Sequence, residues 1–559
     1  RSHRRPRRGA QEEADVTSTL IYLLSAMNLS LRRLFPLLAS LLLFPAAHAA
    51  APAPGPARLP NVLFIIADDL NTLLGAYGDP QARTPHLDRL AARGVRFDRA
   101  YCTFPLCGPS RNSMLTGLYP NSSGIYGNNQ IFRQTVPQQV SLPQAFRHQG
   151  WFAARLGKLY HYGVPNSIGT DGHDDPASWE LELNPAGVDR LEEHPKIFSL
   201  TPGSFGGTLS WYASPKGDEH HTDGKLADAA EWVLERCASR RDRPFFLAVG
   251  FFRPHTPYVA PRPYFAAYPE AEMRVVSGVK EDQADLPAPA LASYKREQDN
   301  LTDPLRRQAL QAYYASISFM DAQVGRVLAA LDRLGLADST TLVFTSDHGY
   351  LTGEHGLWQK QSLFEPSARV PLLIVAPGVG RPGSVVRTPV SQIDLYPTLC
   401  ELAGVAAPAN LQGESLVPLL KDPAASARGW ALTQVARGGR PAGAVAAKAE
   451  PAPAKAKAGA RANKKAVSGG EPGERFFGYS LRTARWRYTE WGDAGKHGAE
   501  LYDHERDPGE LNNLADQPEH AATRRELAAK LASAVRASYP ASGEAPAVRE
   551  GLWMPLLVP

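Results

Sequence analysis

Val62-Leu63-Phe64-Ile65-Ile66-Ala67-Asp68-Asp69 is an apolar run of strand length that ends on two carboxylates. Without polar alternation, such a run belongs to a strand covered on both faces. Similar runs stand at Phe152 to Arg155, Phe245 to Val249, Leu342 to Thr345 and Pro371 to Val375. Asp303-Pro304 caps and starts a long helix carried by Leu310, Tyr313, Tyr314, Ile317, Met320, Val324, Val327, Leu328 and Leu331, and Gly335 ends it. Strands alternating with helices predict an α/β fold whose sheet is largely parallel. Open parallel sheets bind ligands beyond the carboxyl ends of their strands, so the five ends are expected to converge on one site.

The residues at those ends are reactive. Asp68 and Asp69 follow the first run, and Ser346-Asp347-His348-Gly349 follows Leu342 to Thr345. Either acidic stretch alone reads as a loop start or helix cap. Together they crowd three carboxylates and an imidazole onto one edge, which favours a cation between them. Oxygen-rich ligation suits Ca²⁺ or Mg²⁺, and the single histidine leaves Mn²⁺ or Zn²⁺ open. A second segment, Cys107-Gly108-Pro109-Ser110-Arg111-Asn112-Ser113-Met114-Leu115-Thr116-Gly117, puts a thiol on a Gly-Pro turn at an expected helix start. Helix starts hold anions, and Arg111 adds a cation. A buried thiol, or a disulfide with Cys102, is the plain alternative.

The 559 residues are 43% hydrophobic and 21% charged, which excludes a disordered or fibrous chain. Four cysteines are too few for a disulfide-built scaffold. The net charge of +5 is unevenly spread. Residues 1–50 hold seven arginines against three acids, residues 431–470 hold eight basic residues against one acid, and the remainder is net −6. An acidic body with basic appendages argues against a nucleic-acid groove.

From Met27, Arg32 and Arg33 precede an apolar run from Leu34 to Pro45 and then Ala47-His48-Ala49, the pattern of a signal peptide over 27–49. Cleavage near Ala49 predicts a periplasmic or secreted protein with no stable membrane insertion. Residues 1–26 read as an upstream extension. A catalytic domain is expected over 58–430, a low-complexity disordered insert over 440–473, and a C-terminal subdomain over 474–545 with strand-like Phe476 to Trp491 and a helix from about Ala521 to Ser538.

The Cys-x-Pro-Ser-Arg segment with its following Met-Leu-Thr-Gly resembles the signature of type I, formylglycine-dependent sulfatases. Further matches follow in order: Gly157-Lys158-Leu159-Tyr160-His161, Arg253-Pro254-His255, Ser346-Asp347-His348-Gly349, and Gly353-Glu354-His355-Gly356 through Lys360. They resemble the iduronate-2-sulfatase group most, since arylsulfatases usually carry a shorter Gly-Lys-Trp-His and an asparagine where His348 stands. Asp394 to Pro397 and Glu500 to Asp503 with Asp507-Pro508 read as structural landmarks, and His355 as structural.

The resemblance implies an alkaline-phosphatase-like sandwich with a large mixed, mostly parallel sheet. It implies Cys107 oxidised to formylglycine by a maturation enzyme, and Ca²⁺, with Mg²⁺ or Mn²⁺ as alternatives, held by Asp68, Asp69, Cys107, Asp347 and His348. One hydroxyl of the hydrated aldehyde would attack sulfur, and loss of a proton from the other would release sulfate. Arg111 and Lys158 would orient that group, His161 would take the second proton, and His255 and Lys360 would bind sulfate and assist the leaving alkoxide. The expected substrate is a sulfated carbohydrate such as a 2-O-sulfated uronate. Two other readings stay open: a phosphonate monoester or phosphodiester hydrolase of the same superfamily, and a non-catalytic sulfated-glycan-binding protein with unmodified Cys107.

Overall fold

The computed structural model describes residues 59–438 and 474–547. The expected upstream extension, signal peptide and 440–473 insert lie outside the described residues. The strands are β1 (Asn61–Ala67), β2 (Val95–Tyr101), β3 (Phe152–Gly157), β4 (Leu181–Leu183), β5 (Phe198–Ser199), β6 (Ser210–Ser214), β7 (Phe245–Gly250), β8 (Tyr258–Pro261), β9 (Thr340–Ser346), β10 (Arg369–Val375), β11 (Ser384–Val386), β12 (Val390–Ser391), β13 (Trp430–Arg437), β14 (Phe476–Thr483), β15 (Trp486–Trp491) and β16 (Ala499–Asp503).

The main sheet runs β11-β2-β10-β9-β1-β7-β3-β4, with β12 also on β2. β1 pairs in parallel with both β7 and β9. Its uninterrupted apolar sequence follows from cover on both faces. Leu63, Ile65 and Ala67 pack with α1 (Pro85–Arg93), α3 (Thr222–Ser239) and α4 (Asp303–Arg333), while Val62, Phe64 and Ile66 pack with α2 (Cys107–Thr116) and α5 (Leu395–Ala403). Each fully buried side chain of this kind contributes about 1.5–3 kcal/mol.

Three expectations change. The run from Pro371 to Val375 lies in β10, which is antiparallel to β9 and β2, so its carboxyl end points away from the others. An apolar run reports burial but carries no information on direction. Thr302, not Asp303, is the N-cap of α4, with Asp303 as the first helical residue. The smaller antiparallel sheet β13-β14-β15-β16 takes its first strand from before the insert, since Arg437 pairs with Phe476. Its apolar face, with Leu481, Tyr488 and Leu501, is covered by Leu527, Leu531 and Ala534 of α6 (Ala521–Ala537). A third small sheet joins β5, β6 and β8. No helix among the described residues is long and apolar enough to cross a membrane.

Candidate active site

Sheet register brings the reactive residues together. Ala67 is opposite Ser346, so Asp68 and Asp347 leave β1 and β9 side by side. Gly157 is opposite Gly250, which places Lys158 beyond the next strand ends. A Cβ on Gly250 would lie 2.0 Å from the Lys158 carbonyl oxygen, a spacing only glycine allows. Cys107 enters from α2 as its first residue, with all ten helix positions buried. Gly108 lets the backbone at Asn128 approach, since a Cβ there would be 2.9 Å from Asn128 Cα.

Nearly every carboxylate oxygen has a partner. Asp68 accepts from Arg111 at 3.1 Å and from Lys158 Nζ at 2.6 Å. Asp347 Oδ2 accepts from Arg111 Nε at 2.9 Å, and its Oδ1 from the backbone N–H groups of Asp69 and His348. Asp69 Oδ1 accepts from Lys360 Nζ at 2.6 Å, whereas its Oδ2 is buried with no hydrogen-bond partner. Asp69 adopts φ +61°, a left-handed conformation aspartate tolerates better than most residues, and its carbonyl accepts from the Tyr313 hydroxyl at 2.7 Å.

Cys107 Sγ lies 3.9 Å from Asp69 Oδ1, 3.4 Å from His348 Nε2 and 3.3 Å from Lys360 Nζ. Burial alone would raise its pKa, but Lys158, Lys360 and His348, helped by a hydrogen bond with His161, outweigh that and hold it well below the usual thiol range. Burial likewise opposes ionisation of Asp347, yet Arg111, His348 and Lys158 keep it well below the carboxylate range. Asp68 goes the other way: burial outweighs Lys158 and His255 and raises it to about 6. Burial lowers His161 to about 4, so its imidazole is neutral near pH 7. His348 is raised to about 9 against the effect of burial by Asp347, Cys107 and Asp69.

These residues fit a hard divalent cation. One ligand atom each from Asp69, Cys107, Asp347 and His348 lie within 4.8 Å of one another, and an overlapping group adds Asp68 and His255. The orphaned Asp69 Oδ2 lacks a hydrogen-bond donor, as a cation site would leave it. His348 Nδ1 faces the Gly349 carbonyl at 2.8 Å and keeps its hydrogen there, so Nε2 faces the cluster and would offer a lone pair to a cation that displaced its proton.

All the expected site residues meet here. His255 Nε2 is 3.7 Å from Asp69 Oδ2. His161, His255 and Lys360 line a cavity of about 240 Å³. His355 stays outside, with Nδ1 3.0 Å from Asp282 and its ring stacked on Phe364. Cys102 and Cys107 are both free thiols, so the disulfide alternative is not adopted. Asp394 accepts from the Ser391 and Glu414 backbone and pairs with Arg428, a structural arrangement.

Several contributions were not legible in the sequence. Ser110, inside the signature but given no role there, and Gln392 clamp the end of β9 through hydrogen bonds to the carbonyls of Asp347 and Ser346. Asn128, Phe205, Gly206, Gly207 and Lys295 form cavity wall. The position of Gln392 just ahead of Asp394 was the one available hint.

Residues 60–405 match the family model described as Sulfatase. The chain is 35% identical over 381 residues to a sulfatase of Formosa agariphila, covering 65% of this chain and 73% of that protein. It is 33% identical over 388 residues to iduronate 2-sulfatase of Homo sapiens, covering 62% and 70% respectively. Among solved structures, the phosphonate monoester hydrolase of Silicibacter pomeroyi superposes with a TM-score of 0.65 at 25% identity, over 85% of this chain and 95% of that one. The fold is thus the alkaline-phosphatase-like arrangement that the resemblance implied.

Proposed function

The chain belongs to the sulfatase family and is a sulfuric ester hydrolase, and from that premise we propose that it is exported and removes sulfate from a sugar or polysaccharide through a formylglycine formed at Cys107. Asp68, Asp69, Asp347 and His348, with the group at position 107, would hold a divalent cation, Ca²⁺ in preference to Mg²⁺ or Mn²⁺. When bound, that cation would supply the positive charge that makes one hydroxyl of the hydrated aldehyde acidic enough to attack sulfur, leaving the second hydroxyl for sulfate release. The observation that carries the reading is the meeting of Cys107, three aspartates, Lys158 and Lys360 beneath one cavity.

The protein's own groups divide the work. Arg111 bridges Asp68 and Asp347 and holds the two carboxylates side by side. Lys158 and Lys360 offset negative charge around position 107 and the ester oxygens. His161, neutral and close to that position, is the base for the release step. His255 donates its Nδ1 hydrogen to the Thr256 carbonyl at 2.6 Å, so Nε2 faces the cavity and delivers a proton to the departing alkoxide when the ring is charged.

The iduronate 2-sulfatase relative supports a 2-O-sulfated uronate as substrate class. Under this reading a formylglycine-generating enzyme is the maturation partner. The mature chain is periplasmic or secreted after cleavage near Ala49, without stable membrane insertion, and nucleic acid is not a partner.

The likeness to a phosphonate monoester hydrolase favours a second reading, in which the same nucleophile and cation act on a phosphoryl centre. Parallel assays on the sulfate, phosphate and phosphonate esters of one alcohol separate the two. Mass spectrometry of the peptide containing Cys107 tests the modification, which lowers its mass by about 18 Da. Turnover that persists after chelation, or with unmodified cysteine, would sink the proposed mechanism.

A further inference from the structure

The cavity contains a cation for which the chemistry above finds no use. Lys295 lies on its wall beside Phe205, Gly206 and Gly207, immediately before the short helical turn Arg296–Asn300. Its ammonium donates to the Gly207 carbonyl, and among the described residues it forms no ion pair. The nearby acid, Glu297, is turned instead towards the Leu209 N–H at 3.4 Å and the Thr201 hydroxyl at 3.5 Å. An ammonium has three N–H donors, so the carbonyl leaves two unused. Burial lowers the Lys295 pKa, with Glu297 and Asp69 opposing and Lys360 adding to the shift.

Lys360 does not share this condition, because it is neutralised by Asp69. A sugar whose only anion is the scissile sulfate would use the Lys360 side of the cavity and leave Lys295 further desolvated without a partner. A substrate with a second anion would give Lys295 a charge-assisted hydrogen bond. We propose that Lys295 binds a second anionic group of the substrate, so that the enzyme selects sulfated sugars bearing a carboxylate or another sulfate besides the ester it cleaves. This rests on the cavity being a sulfate-ester site.

Lys295 is not the sole anchor of the wall. The Thr256 hydroxyl donates to the Gly206 carbonyl at 2.5 Å, so the loop keeps a tether when Lys295 is changed. The test therefore uses Lys295→Gln, which retains a donor, and Lys295→Met, which does not, in the full-length matured enzyme. Substrates share one scissile sulfate: a 2-O-sulfated uronate glycoside, its methyl ester, whose only anion is that sulfate, and a hexose with one or two sulfates. The native enzyme should prefer the doubly anionic substrates, mainly through KM. Both variants should lose about 10- to 100-fold in kcat/KM on them, the scale of one hydrogen bond to a charged group, and little on the methyl ester. The larger loss, with carboxylate or with second sulfate, identifies the anion. Equal losses on singly and doubly anionic substrates, or a preference that survives in both variants, would overturn the assignment of Lys295 while leaving the sulfatase reading intact. Failure of the matured native enzyme on every sulfate ester would overturn both.

Discussion

Replacing His255 by alanine separates proton donation from the rest of the site. The ring is 5% exposed, and its Nδ1 is committed to the Thr256 carbonyl. Nε2 stands 3.7 Å from Asp69 Oδ2, beyond the roughly 2.7–3.2 Å of a hydrogen bond, so the substitution breaks no tight ion pair. The fold should survive, and the loss should fall on chemistry. General acid catalysis contributes about 10²- to 10⁴-fold, which at about 1.36 kcal/mol per tenfold is about 3–5 kcal/mol of barrier. That loss is expected in kcat/KM on a sulfated sugar, whose alkoxide leaves poorly. On a nitrophenyl sulfate, whose phenolate departs unaided, the loss should stay below about tenfold. Asp347→Asn should damage both substrates, since Asp347 belongs to the cation cluster. The assay is steady-state kinetics on the two substrates with matched metal content, alongside a thermal melt. Equal losses for the His255 variant would refute proton donation and leave His255 as a sulfate-binding or structural group.

Cys107→Ser should fold with an unchanged melting temperature but give no multiple turnover on any sulfate ester, because serine has no second hydroxyl for release; sustained turnover would contradict the aldehyde. Arg487 is buried between Glu365 and Glu510, so Arg487→Leu removes the cation they share, leaving Arg482 nearest Glu365 and His504 nearest Glu510, and should cost up to about 3–5 kcal/mol in urea unfolding. Glu510 illustrates the sign: burial would raise it, but Arg487 and His504 hold it down at about 2, so its stabilisation is complete above the ordinary pKa of 4.5 and is lost as pH falls towards 2. The variant's melting temperature should therefore fall less than the native one's over that range, and parallel curves would argue against the pairing. Replacing 440–473 by a short Gly/Ser bridge should leave activity and melting temperature nearly unchanged, because Arg437 and Phe476 already pair and loop length has only a logarithmic cost; a large loss of activity would place the insert at the site.

Much of the site was legible because its residues sit at the ends of uninterrupted apolar strands. Asp68, Asp347 and Lys158 leave β1, β9 and β3 at positions that sheet register aligns. The strands that escaped notice have weaker patterns. β2 reads Val95-Arg96-Phe97-Asp98-Arg99, with polar residues on its partly exposed face, and the direction of β10 is set by its neighbours. β13 was hidden because its partner lies across the insert. Lys295 and Asn128 could not be found from motifs at all, since a lysine or asparagine in a loop acquires meaning only when tertiary structure turns it towards the cavity. The loops from Pro165 to Asp223 and Pro269 to Asp303, where one sequence offers no periodicity, do supply Phe205, Gly206, Gly207 and Lys295 to its wall.

The pairing of β1 with β7 and β9 joins Val62 to Phe246 and Asn61 to Thr340, partners separated by long stretches of chain. Contacts of that span form late, because the intervening chain must first be available and ordered. As the polypeptide emerges from its amino end, Cys107 is present well before Asp347, His348 and Lys360 can close over it. The thiol that is 1% exposed in the finished structure therefore passes through an interval when solvent, and any enzyme that must oxidise it, can reach it. Under the proposed maturation, order of emergence in this fold would act as a timer, and a chain that folded before that interval was used would bury an unconverted cysteine.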